Sequence, residues 1–404
     1  MKNGKLRRFV LVGIAPAIVS NSVKALKQLD FEVVVIDNIV DIEKSRNLIQ
    51  AVDKVVDANI NDYDELRSVV LELNDEKAIY GMISFREFAL LNTAKIIEEL
   101  NLYGNSYKSV ECCIDKLKSR DALYAGGLLS PQYTVYKDNE SAIDFFRKVK
   151  GPIIIKPNNL AGSIGITKVN HEFELEEKLE EVKRQCKNSI IMLEEFVEGK
   201  EVSIESVVYR DEVYILGVTE KILYESTFIE AGHISPYQGN EMSIEEYKEL
   251  VSEVVKVMGI KFGPLHIEGF HTPKGLILND IHTRYGGDNI PIITELASGY
   301  NLNLPIFAQL ANVDYELTSD TKRCSGIKFL QIKPGIIKEI LGAEEVKKIE
   351  GIIDLNISCS VGDKIGDVKS NSDRHGWIIV QGNTREEVDE IFNKAFQLLD
   401  IVTY

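Results

Sequence analysis

Leu265-His266-Ile-Glu268-Gly-Phe270-His-Thr272, Pro273-Lys274-Gly275, Leu276-Ile-Leu278-Asn-Asp280-Ile-His282-Thr-Arg284-Tyr-Gly286-Gly287-Asp288 reads as two strands joined by a tight turn. Pro-Lys-Gly fits a three-residue hairpin loop, a type I turn closed by a glycine at positive φ. With Lys274 at the centre, Glu268 faces Asp280 and His266 faces His282, so two carboxylates share one face of the hairpin. Like charges so placed repel unless a cation lies between them. Oxygen ligands on a stiff sheet, with phosphates completing the shell, suit Mg2+ far better than Zn2+. A zinc reading fails on spacing. His266-x-Glu268-x-x-His271 is not HExxH, and along a strand His271 points away from the face that carries His266. Taken alone, the hairpin is also compatible with two solvated carboxylates.

Upstream, Gly151-Pro-Ile-Ile-Ile-Lys156-Pro157 is an apolar strand ending in a lysine, followed by the small-residue loop Asn158-Asn-Leu-Ala-Gly162-Ser163-Ile-Gly165. A lysine beside several loop amides suits a polyphosphate. The lysine precedes the glycines, so this is not a Walker loop, and a plain hairpin with a solvated lysine is the alternative. Next, Ile190-Ile-Met-Leu-Glu194-Glu-Phe196-Val197-Glu-Gly-Lys-Glu201 runs a strand into carboxylates and a glycine turn. Backbone groups at 195–197 can face an adenine edge while Glu201 accepts from ribose hydroxyls.

The chain around these segments has 404 residues, which predicts two or three domains with an ample core. Its 47 Lys+Arg against 63 Asp+Glu leave a net charge of −16. Duplex-binding proteins carry a basic surplus, so no nucleic-acid partner is expected, and any anionic ligand must find positive charge locally. Five scattered cysteines without a CxxC pair fit a reducing cytoplasm. Lys2, Lys5, Arg7 and Arg8 before the apolar run Phe9 to Val19 have the outline of a secretory leader. The regular alternation that follows favours a strand at 9–13 instead, then a helix carrying Val23, Leu26 and Leu29, and a second strand at 31–37. No other run approaches the ~20 apolar residues of a membrane span, so no membrane partner is expected.

A third strand at 80–84 and helices at 63–73 and 89–100 complete a small parallel sheet. Its first loop, Gly13-Ile-Ala-Pro-Ala17, lacks the later glycines of a dinucleotide fingerprint. Further on, Ser243 and Glu246 form a capping box for a helix at 243–258 that stops at Gly259. A second box, Thr384 with Glu387, opens a closing helix that buries Val388, Ile391, Phe392, Phe396 and Leu399. The expected fold is mixed α/β and α+β. It divides into a parallel α/β domain at 1–109, a central domain at 110–312 and a C-terminal α+β domain at 313–404.

In this order, Asp115-Lys116 opening a helix, Ile155-Lys156-Pro157 with its loop, Glu194 to Glu201, and the hairpin ending Asp280-Ile-His-Thr-Arg284 resemble the ATP-grasp superfamily. The parallel domain resembles the pre-ATP-grasp domain. The tail, with Pro334-Gly335, Gly362-Asp363 and Gly376-Trp-Ile-Ile-Val-Gln-Gly382, is similar to the C-terminal region of L-amino acid ligases and the biotin carboxylase group.

The resemblance implies that Lys116, Lys156 and, as a third cation, Lys221 hold ATP phosphates, and that Gly162 and Ser163 close over them. It gives Glu194, Phe196 and Val197 to adenine and Glu201 to ribose. Glu268 and Asp280 become ligands for one or two Mg2+, with Mn2+ able to substitute. Asp280 is shorter than the family's usual Glu and His282 stands where an Asn is usual, which bears on a second metal. Arg284 is expected at the transferred phosphoryl group and the oxyanion. In Tyr224 to Pro236, Glu230 resembles the family's reader of the substrate amine and His233 lines the acyl site. Gly287 and Asp288 border the substrate, Asp288 with a preference for a cationic or amino group.

The implied activity is a cytoplasmic ATP-dependent carboxylate-amine ligase acting through an acyl phosphate on small acids and amines, with an amino acid as one or both substrates. A homodimer is one assembly left open. A biotin-carboxylase-like enzyme activating bicarbonate is an alternative, and a catalytically degenerate ATP-binding scaffold is a second.

Overall fold

The computed structural model describes residues 6–158, 165–186, 189–225, 227–319 and 321–404. The first domain is a four-stranded parallel sheet in the order Lys54–Asp57, Phe31–Asp37, Arg7–Val12, Ile79–Ser84. Arg7–Val12 lies between two partners, and Phe9, Val10 and Val12 are fully buried, which is what an apolar run inside a parallel sheet requires. Helices Val19–Gln28, Tyr63–Glu76 and Leu90–Glu99 cover the sheet as the periodicity predicts. Lys54–Asp57 escapes a reading by hydrophobic runs because it is a short edge strand whose residues alternate between half-buried and exposed.

The loop after the first strand is sealed by the protein itself. Gly13 has φ +80°, and a Cβ there would collide with Arg86. The buried Asp37 carboxylate accepts from the Ile14 and Asn38 amides at 2.7 and 2.8 Å, taking the donors a phosphate would need.

The central segment contributes two sheets. The smaller is antiparallel, in the order Tyr133–Val135, Ile191–Glu195, Ile153–Pro157, Thr167–Val169, backed by helices Asn139–Val149 and Leu175–Gln185. The larger has eight strands, in the order Gly275–His282, Gly263–Thr272, Lys200–Tyr209, Glu212–Leu223, Glu230–Ser235, Cys324–Phe329, Gly376–Gly382, Ile352–Ile357. Its last three strands come from beyond residue 312, so the two later segments of the chain share one sheet. A three-stranded sheet, Lys364–Ile365, Gly335–Leu341 and Asp400–Thr403, stands beside it.

Helix Ile244–Met258 has both halves of the Ser243/Glu246 capping box, ends at Gly259 with φ +67°, and buries Tyr247, Val251, Val254 and Met258. Helix Arg385–Leu398 departs from expectation at two points. Thr384 accepts from the Glu387 amide at 3.3 Å, but the Glu387 carboxylate turns to the Asn383 amide at 2.7 Å. Val388 and Phe392 are buried, whereas Phe396 stays 38% exposed and stacks on Phe392. The first domain docks on the central one through aromatic contacts, Phe9 on Phe307 and Phe85 on Tyr285, each about 5.4 Å between centroids. That docking carries the loop after Ile79–Ser84 to the exit of the decisive hairpin.

Candidate active site

The strands Gly263–Thr272 and Gly275–His282 pair antiparallel, and His266 faces His282 as the symmetric register predicts. Two local features differ and compensate. Thr272 pairs with Gly275, leaving a two-residue turn instead of three, and a bulge beside Glu268 restores the register. The bulge leaves Glu268 and Asp280 without a partner across the hairpin, both with side chains on a cavity of about 940 Å3 between the two sheets.

Lysines neutralise the two carboxylates. Asp280 lies 3.4 Å from Lys116, and Glu268 lies 3.1 Å from Lys221 and 3.0 Å from the Nε2 of His266. Burial raises both carboxyls, but these cations outweigh it and hold both well below the carboxylate range. Two half-buried, ionised, hard-oxygen donors on one wall fit Mg2+ with phosphate oxygens completing its shell. Among the described residues, no group of three or more His, Cys, Asp or Glu side chains converges to hold an ion by itself. His271 faces the opposite side, where it bonds the Tyr247 hydroxyl at 2.6 Å.

Lys156, only 4% exposed at the end of its strand, places Nζ 2.5 Å from Glu194. Burial pulls its ammonium pKa down, against the pull of Glu194 and Asp280. Lys116 opens helix Lys116–Ala125, capped by Asp115, which accepts from the amides of Leu117 and Lys118. Lys221 is ringed by Glu201 at 2.7 Å, Glu268 at 3.1 Å and Glu230 at 3.5 Å. Burial alone would lower its pKa, yet three carboxylates raise it well above the ordinary lysine value. Phe196, Val197 and Gly287 line the same cavity, as do Glu201, Glu230, His233 and Arg284. The Phe196 amide is already used, donating to Pro152 at 3.0 Å. The Glu194 carboxylate, expected at adenine, is buried between Arg120 and Lys156. Gly162 and Ser163 lie outside the described residues.

Three of these residues have partners in the protein that the sequence did not show. Arg284 Nε donates to Glu87 of the first domain and Nη1 to its neighbour's carbonyl, Tyr285, at 2.7 Å. His282, a candidate ligand, turns Nδ1 to the same Glu87 at 3.3 Å. Asp288, expected to attract a cationic substrate, already has a cation, since Arg374 bonds both of its oxygens.

A profile of the ATP-grasp domain matches residues 149–291. The chain carries an ATP-grasp domain. A second profile, L-amino acid ligase C-terminal domain 2, matches residues 328–404. Among curated relatives, the L-arginine-specific L-amino acid ligase of Bacillus subtilis is 23% identical over 329 residues, 78% of each chain. Among solved structures, an L-amino acid ligase from Bacillus licheniformis covers all of both chains with a TM-score of 0.81 at 22% identity. The biotin carboxylase domain of Hydrogenobacter thermophilus 2-oxoglutarate carboxylase, in complex with MgADP, ADP and bicarbonate, covers 99% of this chain and 91% of its own with a TM-score of 0.75 at 18% identity. These structural likenesses are of fold. The two profiles show an ATP-grasp domain followed by an L-amino acid ligase C-terminal domain.

Four residues of this ATP-grasp site have roles that motif reading missed. Arg120, with no exposed surface, donates to Glu194 at 2.7 Å and to the Asn279 side chain at 2.8 Å, tying a helix to both sheets. It lies one turn after Lys116, so i, i+4 spacing could have pointed to it. Glu205 pairs with His266 at 2.5 Å, and with Glu268 on the other side the imidazole pKa is pushed up to about 9 despite its burial. A lone charge in the apolar run Val202 to Tyr209 was its available signal. Glu87 and Arg374 come from the flanking segments and carry no local signal.

Proposed function

We propose that the protein is an ATP-dependent carboxylate-amine ligase that joins amino acids, or an amino acid and another small acid, through an acyl phosphate. The observation that supports this most is one cavity in which Lys116, Lys156, Lys221 and Arg284 meet Glu268 and Asp280, with Glu230 and His233 on the adjoining wall. Lys116 and Lys156 would hold phosphates, Glu201 the ribose, and the Phe196 carbonyl with the backbone of Val197 the adenine, while Glu194, held by Arg120, braces Lys156. Gly162 and Ser163 keep the phosphate-covering role that the resemblance gives them. Glu268 and Asp280 would hold Mg2+, which supplies neutralisation of phosphate charge when bound.

In the proposed reaction a substrate carboxylate oxygen attacks the γ-phosphorus, the bond to the bridging oxygen breaks, and ADP leaves. Lys156 and Arg284 supply charge to the transferred group, and positioning contributes most of the acceleration. The amine of the second substrate then attacks the acyl carbon while Arg284 stabilises the developing oxyanion. The carbon–oxygen bond breaks, phosphate departs with that oxygen, and the amine proton passes to solvent.

The test follows ADP release with ATP, Mg2+ and pools of amino acids. Release that requires two substrates supports the ligase. Release that requires bicarbonate instead would establish the carboxylase, and nucleotide binding without turnover would establish a scaffold. Arg284→Ala should lower turnover by about 100-fold or more, the usual cost of an oxyanion donor, while MgADP affinity stays within about threefold. Unchanged turnover in that variant removes Arg284 from the mechanism.

A further inference from the structure

The C-terminal segment meets the substrate wall at Asn371 and through the Arg374 guanidinium. Arg374 donates to both oxygens of Asp288, at 2.7 and 2.5 Å, and to the main-chain oxygen of Glu230 at 3.1 Å. Its guanidinium carbon sits 3.6 Å over the Phe329 ring, so the fork is held on its face as well as at its edge. His233 Nε2 approaches Asp288 from the other side at 3.3 Å. The whole group is nearly shut off from solvent, with relative side-chain exposures of 7% for Arg374 and 19% for Asp288.

Asp288 lines the cavity, but its charge is matched within the protein. Glu230 differs. One of its oxygens is 3.5 Å from Lys221, and the other, Oε2, is buried without a hydrogen-bond partner. A buried unpaired carboxylate oxygen calls for a donor from a ligand. One such oxygen accommodates a single ammonium, and the neighbouring Asp288 charge is cancelled by Arg374, which bonds both residues.

We infer that the Arg374–Asp288 pair determines substrate charge, so that the site takes amino acids with uncharged side chains and turns away both basic and acidic ones. A basic side chain finds Asp288 already paired, and an acidic one finds Arg374 already paired. This rests on the amino-acid ligase reading, whose own failure is separately visible. Arg374→Met would leave the Asp288 carboxylate at the cavity wall with only His233 beside it, and Asp288→Asn would leave the Arg374 cation uncompensated behind it. The two variants should therefore shift preference in opposite directions, which general damage to the fold cannot do.

The experiment measures thermal stabilisation and ADP release for the wild type and both variants, with MgADP or MgATP and leucine, lysine or glutamate. In the wild type leucine should lead in both readouts. Arg374→Met should raise the apparent affinity for lysine relative to leucine at least tenfold, and Asp288→Asn should do the same for glutamate. An unchanged ranking in both variants, a wild type that prefers lysine or glutamate, or no stabilisation by any of the three overturns the inference. If the rankings shift as described but no amino acid supports ADP release, the charge determinant stands and the ligase reading falls.

Discussion

Arg120 has no solvent exposure, and its guanidinium is shared between Glu194 and Asn279. Removing one partner of such a buried pair leaves an uncompensated charge, at a cost of about 3–5 kcal/mol. Arg120→Met should lower the urea midpoint accordingly, and an unchanged midpoint would mean that Lys156 alone satisfies Glu194. His266 gives a pH-dependent counterpart. Its pKa is raised from the ordinary 6.5 to about 9, so its stabilisation is complete below about pH 6.5 and lost as pH rises through 9. His266→Gln should thus be less stable than wild type at pH 6, by up to about 3 kcal/mol, and the gap should close by pH 9.5. Urea titrations at the two pH values in metal-free buffer check this, and a gap independent of pH contradicts it. Lys116, Lys156, Glu268 and Asp280 were legible in the sequence because each sits at a fixed offset within its own motif. The partners that set their charge were not, since Arg120, Glu205, Glu87 and Arg374 meet them only through tertiary packing.

At the scale of elements, local chemistry fixed what was legible. Ser243, Glu246 and Gly259 each satisfy helix-end groups, so the bounds of Ile244–Met258 could be read directly. The hairpin register could be read only in part, because a tighter turn and a compensating bulge leave His266 opposite His282 whichever way the turn is built. The turn before Lys200 is a place where an element controls the site. A Cβ on Gly199 would collide with the carbonyl oxygen of His271 and press 3.2 Å from the Phe270 Cβ. Backbone cannot yield there as a flexible side chain would, so Gly199→Ala should displace residues 196–198 from the cavity wall. The expected outcome is at least tenfold weaker MgADP binding by calorimetry, and unaltered affinity would show that these residues do not hold the nucleotide.

At the scale of the molecule, the expectation of local positive charge in a −16 chain is met by a cavity lined by the central segment and Asn371, whose wall residues Arg284 and Asp288 are held by Glu87 and Arg374 from the flanking segments. Glu87 reaches Arg284 across 197 residues of sequence, and Arg374 reaches Asp288 across 86. Chain order places the domains, but docking of the first domain and the shared eight-stranded sheet place these two side chains, and neither follows from periodicity. Among the described residues no helix is long and apolar enough to cross a membrane. The central claim is that this cavity activates a carboxylate as its acyl phosphate before an amine attacks. An amino acid labelled with 18O in its carboxylate, incubated with the protein, MgATP and an amine partner, tests it most directly. The account predicts one label atom in the released inorganic phosphate for each amide formed, and amide formation with no label in phosphate would contradict it.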